Sequence, residues 1–436
     1  MPWTARPAEG RCVMPGADRL RIVHLSDNYP PSKGGLERSV QSVSKVQVRS
    51  GHEVAVVTTQ LDGEPQDSVV DGVHIHRLPF ALQRLPGAFQ DDSRVFFPPI
   101  PEPLFEHHLL RVLREFRPDV VHIHGWVLYS SLGPARKVGA AVVATAHDYG
   151  SVCALKTLFR DGAVCSGPAL GKCLACARDS YGLKGIPIAL GMRAASGRHR
   201  KVDEWTAIST AVARAGSAPV PRDRQEMVVI PSFVPDSVLG VDLDTPRPAY
   251  VPEEGPYIFF AGALGTHKGV EVLLEAHRLL WEAGTKVPLV LAGMASPGKT
   301  VDTARPGVTT ALEVAHDAVM AGWVNAAVGV VPSLWGEPFG QVAVECLAAG
   351  TPLVVSRVGG LTDIVDDGRC GLMVEPGDAD SLADAVRTLL ADPALAADFG
   401  AKGRERAGQF GASVVQVAVE ESYRRAIAVH QSGRSG

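Results

Sequence analysis

Several things this chain lacks narrow what it can be. Neither sign of charge is in excess: 43 Lys and Arg stand against 47 Asp and Glu, a formal net charge of -4 over 436 residues. That balance offers no footprint for a polyanion, so no nucleic-acid partner is expected. No apolar run reaches the roughly 20 residues that cross a bilayer, and no export signal is visible. The expected compartment is therefore the cytoplasm, where thiols stay reduced. No His-Glu-x-x-His zinc helix, no Ser/His/Asp nucleophile elbow and no repeat of solenoid length occurs. Residues 1–19 carry Pro, Gly and Arg without periodicity, which predicts a disordered leader.

What is present alternates. Apolar runs of strand length, such as Leu20–Ser26, Glu53–Thr59, Asp119–His124 and Ala141–Thr145, are separated by stretches of helical period at Gly35–Ser50, Pro103–Phe116 and Leu128–Val138. The rhythm lapses into a Pro- and Asp-rich passage near Pro231–Pro256 and restarts at Tyr257. Further strands are expected at Leu289–Ala292, Val328–Val331 and Leu353–Ser356, and the tail from Asp378 is helical with breaks near Pro393 and Gly411. The fold class is therefore α/β, with two Rossmann-like domains facing each other across a ligand cleft. The expected divisions are an amino-terminal domain at 20–235 with a Cys-rich insertion at about 149–185, a carboxy-terminal domain at 236–411, and a helix and tail at 412–436 that pack back on the amino-terminal domain.

The densest chemistry lies in Ser333–Glu345. Glu337 and Glu345 stand eight positions apart across a Pro-Phe-Gly turn: Glu337 in the loop after a buried strand, and Glu345 about two turns inside a helix expected to run from Gly340 to Ala349. In a parallel α/β sheet, ligands bind beyond the carboxyl ends of the strands, near exposed helix amides. A loop carboxylate there can accept hydrogen bonds from sugar hydroxyls, and a helix carboxylate can grip a ribose diol. The plainer reading is a helix N-terminal carboxylate and a solvated helix Glu.

Two Gly-rich turns occupy matching places. Gly34-Gly35 follows the first strand and opens the first helix, where bare amides can approach a phosphate, although such pairs are often only tight turns. Gly262–Gly269 follows the first strand of the second half and carries Lys268. A cation beside a helix N-terminus is unfavourable, so something anionic is expected near it. His122, His124 and His147 lie at or just past strand ends, and alternation places His122 and His124 on one face. Lone strand-end histidines are commonly packing residues; Asp148 beside His147 favours a functional role.

Cys153, Cys165, Cys173 and Cys176 cluster in one segment that ends in Cys-Leu-Ala-Cys. Four thiols can close a structural zinc site, with an iron–sulfur cluster, a disulfide pair and plain buried cysteines as the alternatives. Cys346 and Cys370 read as core. Arg193–Lys201 is basic; a solvated face is the plain reading, and an anionic acceptor or a membrane surface is the other.

From Leu20 to about Ile427 these motifs resemble the retaining glycosyltransferases of family 4, with the GT-B fold. Glu337-Pro-Phe-Gly through Glu345 matches the family's E-x7-E signature, which continues through Ala348–Pro352, Val358–Asp363 and Asp367–Leu372. The resemblance implies a nucleoside-diphosphate-sugar donor of UDP or GDP type and an acceptor saccharide, lipid or small molecule. It implies transfer to an acceptor hydroxyl with retention, with no cofactor needed for catalysis. It makes Gly34 and Gly35 contacts of the donor phosphates and Lys268 the diphosphate lysine. Glu337 becomes the carboxylate at the donor sugar, Glu345 the ribose carboxylate, and the amides around Phe339, Gly340 and Gln341 hold oxygens. The active-site histidine matches His147, with His124 as runner-up. The stretch Asp119–Trp126 and the cysteines resemble a bacterial subgroup.

The pattern departs from the family at three places. Ala263 stands where many members carry Arg, Asp363 replaces the usual Glu, and Ser232 a common Asn. Two rivals follow: an epimerase or hydrolase of nucleotide sugars on the same fold, and a catalytically silent nucleotide-sugar-binding protein. Peripheral contact with the inner face of the membrane is a further expectation.

Overall fold

The computed structural model describes residues 19–32, 34–84, 97–216, 227–295 and 303–433. The expected leader lies, apart from Arg19, outside these residues. The chain divides into two compact units. Among the described residues, the first takes in the chain from Arg19 to Leu158, Ser166–Ser232 and the last helix from Ala412; the second is Phe233–Gly411 with Phe159–Cys165.

The strands of the first unit are β1 (Arg21–Ser26), β2 (Glu53–Thr59), β3 (Asp67–Val70), β4 (Val73–Leu78), β5 (Val120–His124) and β6 (Ala141–Ala146). After a short hairpin of β7 (Phe159–Arg160) and β8 (Ala163–Val164) come β9 (Glu204–Ala207) and β10 (Val228–Val229). The sheet order is β10-β9-β6-β5-β1-β2-β4-β3, parallel except for the antiparallel edge pair β3–β4. β1, β2, β5 and β6 are buried on both faces, which is why they read as nearly unbroken Val, Ile and Ala.

The second unit has β11 (Ile258–Leu264), β12 (Leu289–Ala295), β13 (Val308–Leu312), β14 (Val328–Val331), β15 (Leu353–Ser356) and β16 (Leu372–Val374). They form one parallel sheet in the order β13-β12-β11-β14-β15-β16. Its core joins Phe260, Leu273, Leu291 and Val330 to Leu382 and Val386 of the helix Ala379–Ala391. Asp378 caps that helix, accepting from the Ser381 amide, and Asp392 caps the next, which is why the tail breaks where it does. The last helix, Ala412–Ser432, belongs to the first unit, where buried Gln416 and Tyr423 bond to Gln47 of the helix Gly35–Arg49.

Three expectations need correcting. β11 runs on to Leu264, so Ala263 stands within the strand and not in the turn after it. The helix after the Pro-Phe-Gly turn spans Gln341–Ala348, which places Glu345 one turn inside it, not two. The cysteine segment contains two helices, Leu170–Tyr181 and Gly185–Ala195, that its composition does not announce. Among the described residues, no helix is long and apolar enough to cross a membrane.

Candidate functional site

In the second unit, β14 ends at Val331 and the chain turns through Ser333–Phe339 before the helix Gln341–Ala348. Gly340, at φ 109°, starts that helix from a backbone region that other residues resist. Glu337 is buried in the turn and heavily bonded. Lys268 Nζ donates to both carboxylate oxygens at 2.9 and 2.8 Å, Trp335 Nε1 donates at 2.9 Å and Ser333 Oγ at 3.1 Å. Burial pushes the carboxyl up, but Lys268 and these donors outweigh it and hold Glu337 below its ordinary range, so it is ionised. Glu337 itself is an anion of the kind expected beside Lys268.

The lysine turn, Thr266–Lys268, is pressed against the end of β14. A Cβ on Gly269 (φ 72°) would stand 1.8 Å from the Pro332 carbonyl, and the Leu334 amide donates to the His267 carbonyl at 3.0 Å. On its other side the glutamate turn is held by Gly359-Gly360. The Gly360 amide donates to the Glu337 carbonyl at 2.7 Å, and a Cβ on Gly359 (φ 58°) would lie 2.3 Å from that same oxygen. The Val358–Asp363 stretch therefore has a mechanical reason for its glycines: they let two backbones meet.

Glu345 is buried and accepts from His316 Nε2 at 2.9 Å. Gln341 shares its helix face but turns its amide to the Phe233 carbonyl at 3.1 Å, and Phe339 packs edge-on to Phe410. Lys268 also lies 5.2 Å from the Trp335 ring centroid. Ser333, Trp335 and His316 were missed from the sequence. Ser333 and Trp335 sit inside the recognised motif and could have been found by asking what satisfies a buried Glu337; nothing local points to His316.

In the first unit, Gly34 precedes the helix Gly35–Arg49, and a Cβ there would lie 2.0 Å from the Glu37 carboxylate. His122 and His124 do share a face, but both are buried, whereas His147, just beyond β6, is half-buried. His124 Nδ1 and His147 Nε2 are 2.8 Å apart. Burial pushes His147 down to about 4, so it is neutral at pH 7. His147, Asp148, Trp126, Tyr129 and Gly125 help to line a small pocket. Asp27, buried just past β1, holds the Trp126 turn by accepting from the amides of Trp126 at 3.1 Å and Val127 at 2.7 Å.

Nothing among the described residues shows the expected zinc site. Among the described residues no three of the four clustered sulfurs come within 4.8 Å of one another. Cys173 and Cys176 lie one turn apart on the helix Leu170–Tyr181 and so share a face. Cys165 follows the β7–β8 hairpin, grouped with the second unit. Cys346 and Cys370 are buried, as core residues should be. In the basic stretch, His199 is buried against Tyr129 at 3.2 Å, while Arg198, Arg200 and Lys201 are exposed.

Comparison with known proteins covers both halves. Residues 33–238 match the model of Glycosyltransferase Family 4, and residues 244–406 that of Glycosyl transferases group 1. The chain is 35% identical over 212 residues to D-inositol 3-phosphate glycosyltransferase 2 of Catenulispora acidiphila, covering 43% of this chain and 49% of that one. It is 28% identical over 409 residues to glycogen synthase of Mycobacterium tuberculosis, covering 89% and 90%. So the chain spans about half the length of the first relative and most of the second. Among solved structures, sucrose-phosphate synthase from Thermosynechococcus elongatus superposes with a TM-score of 0.70 at 21% identity, covering 94% of this chain and 99% of that one. Two parallel-sheet units, matched in sequence by the two halves of the glycosyltransferase models, make this chain a glycosyltransferase of the GT-B fold.

Proposed function

We propose that the protein transfers a sugar from a nucleoside-diphosphate-sugar donor, of UDP or GDP type, to an acceptor hydroxyl with retention at the anomeric carbon. The observation that carries this reading is the Lys268–Glu337 pair at the mouth of the helix Gln341–Ala348, with Glu345 one turn further in. A departing diphosphate needs positive potential in place before the bond breaks. Lys268 and the helix amides supply it. When the diphosphate takes the lysine's charge, Glu337 is left to accept hydrogen bonds from sugar hydroxyls. Glu345, its second oxygen available beside His316, suits the ribose diol.

Retention follows in this reading if the acceptor hydroxyl attacks the face the diphosphate leaves, handing its proton to a phosphate oxygen as the new bond forms. His147 is assigned to a substrate hydroxyl as a neutral hydrogen-bonding partner. The acceptor, a saccharide, lipid or small molecule, is assigned to the first unit, and the exposed Arg198, Arg200 and Lys201 suit peripheral contact with an anionic cytoplasmic membrane face.

The test is direct. UDP-, GDP-, ADP- and TDP-sugars are incubated with saccharide and lipid acceptors, and both nucleoside diphosphate and the anomeric configuration of the product are read. Acceptor-dependent release with an unchanged anomer supports the reading. Release without an acceptor points to the hydrolase; binding without release points to the silent binder.

A further inference from the structure

Three buried histidines, His24, His122 and His124, bring one nitrogen each within 4.8 Å of one another. As a metal site they fail, because every ring nitrogen already has a partner. His24 has Gln47 at 2.7 Å and His124 at 3.0 Å; His122 has Tyr423 at 2.8 Å and Thr145 at 2.6 Å; His124 has His24 and, at 2.8 Å, His147. What remains is a hydrogen-bonded chain, and its direction can be worked out.

The fixed end is Glu420 on the last helix. His52 Nδ1 accepts from the Leu20 amide at 3.2 Å, so its proton sits on Nε2, which donates to Glu420 Oε1 at 3.1 Å. That bond, with Gln416 and Arg424, holds Glu420 below its ordinary range despite partial burial, so it only accepts. Gln416 must then turn its nitrogen to Glu420, at 2.9 Å, and its oxygen to Gln47. Gln47, fully buried, in turn donates both amide protons, to Gln416 at 3.3 Å and to the Tyr423 hydroxyl at 3.0 Å. Its oxygen is left to accept from His24 Nε2.

From there each step is forced. With its proton on Nε2, His24 accepts at Nδ1 from His124 Nε2, and His124 accepts at Nδ1 from His147 Nε2. A neutral imidazole carries one proton, so His147 Nδ1 has none. The side branch agrees: Tyr423 accepts from Gln47 and donates to His122 Nδ1, leaving His122 Nε2 to donate to Thr145 and Thr145 to Thr206 at 2.7 Å.

We propose that Gln47, acting through His24 and His124, is a positioning residue that fixes His147 as the tautomer protonated on Nε2, so that an unprotonated Nδ1 is offered to a hydroxyl donor of the substrate. The helix Ala412–Ser432 thereby acts on the reaction without touching it, since Gln416 and Glu420 set the direction of the whole chain. Only the kinetic arm of the test rests on the transferase reading above.

Imidazole nitrogen NMR on histidine-labelled, ligand-free protein reads the tautomer directly, with His147→Gln identifying its signals. The expected spectrum of the native protein has His147 bare at Nδ1 and protonated at Nε2. Gln47→Leu removes the acceptor for His24, and Glu420→Gln, at the half-exposed end, removes the fixed direction while leaving the core intact. Either is expected to give His147 a mixed or inverted tautomer, and to lower kcat about tenfold with donor KM little changed. A native His147 protonated on Nδ1 overturns the proposal, as does a folded Gln47 variant that keeps both the native tautomer and the native kcat. If the tautomers behave as expected but the native protein transfers no sugar, the transferase reading fails and the tautomer assignment stands.

Discussion

Lys268 holds Glu337 by both carboxylate oxygens, at 2.9 and 2.8 Å, across 69 residues of sequence. The two charges are mostly buried, so each is the condition for the other's presence. In the proposed reading, a donor diphosphate takes the lysine and frees the glutamate in a single step.

Glu337→Ala removes the carboxylate and leaves Lys268 without its anion. Transfer is expected to fall by at least about a hundredfold. Stability should drop by roughly 1–3 kcal/mol, through the orphaned cation and the lost Trp335 and Ser333 bonds. Kinetics and urea denaturation check the two effects separately. Near-native turnover in a folded variant would show that Glu337 is not at the reacting sugar.

Gly359→Ala puts a Cβ 2.3 Å from the Glu337 carbonyl and 2.5 Å from its amide nitrogen, and both neighbours are backbone that cannot swing away. The glutamate turn must shift, so kcat/KM is expected to fall about tenfold or more with a stability loss of roughly 1–3 kcal/mol. Gly368→Ala is the comparison, since its Cβ meets nothing within 4 Å. Its φ of 72° is left-handed as well, so it reports backbone strain without the clash.

Acid should unfold the first unit early. Burial lowers His24 and His147 to about 4 and His122 and His124 well below 6.5. The unfolded chain therefore binds more protons than the native one between pH 6.5 and 4. Stability is intact above 6.5 and declines as pH falls through that window, by on the order of 3 kcal/mol for each of His24 and His147 at pH 4. Urea midpoints at pH 7.5, 6.0 and 4.5 check this. His24→Gln should flatten the decline.

Much of this was legible before any coordinates. Val328–Val331, Leu353–Ser356, Pro103–Phe116 and Leu128–Val138 fall where their apolar period and flanking Gly and Pro put them, because a strand buried on both faces and an amphipathic helix each write their period into the chain. The short edge strands β3 and β13 were not read, since exposed edges need no apolar run. The Lys268–Glu337 meeting was foreshadowed by a lysine at an unfavourable helix start. The His24–Gln47–Gln416 chain was not, because its members lie on three elements, and only the fold puts 23 and 369 residues of separation within bonding distance.

Chelation should change nothing. Among the described residues, no three of the clustered sulfurs come within 4.8 Å of one another. Prolonged treatment with EDTA or phenanthroline is expected to leave Tm unaltered, and metal analysis of the purified protein to find well under one zinc per chain. A stoichiometric zinc, with loss of Tm on its removal, would mean that the segment folds differently around metal.

The measurement closest to the central claim is a thermal-shift panel of UDP-, GDP-, ADP- and TDP-sugars on the native protein, with Glu345→Ala alongside. A ligand that binds only the folded state raises Tm by mass action. A rise of several degrees with one nucleotide class, largely lost when Glu345 no longer meets the ribose, is the predicted result. No rise with any of the four, or a rise that Glu345→Ala leaves intact, would contradict the placing of a nucleotide-sugar donor at Lys268, Glu337 and Glu345.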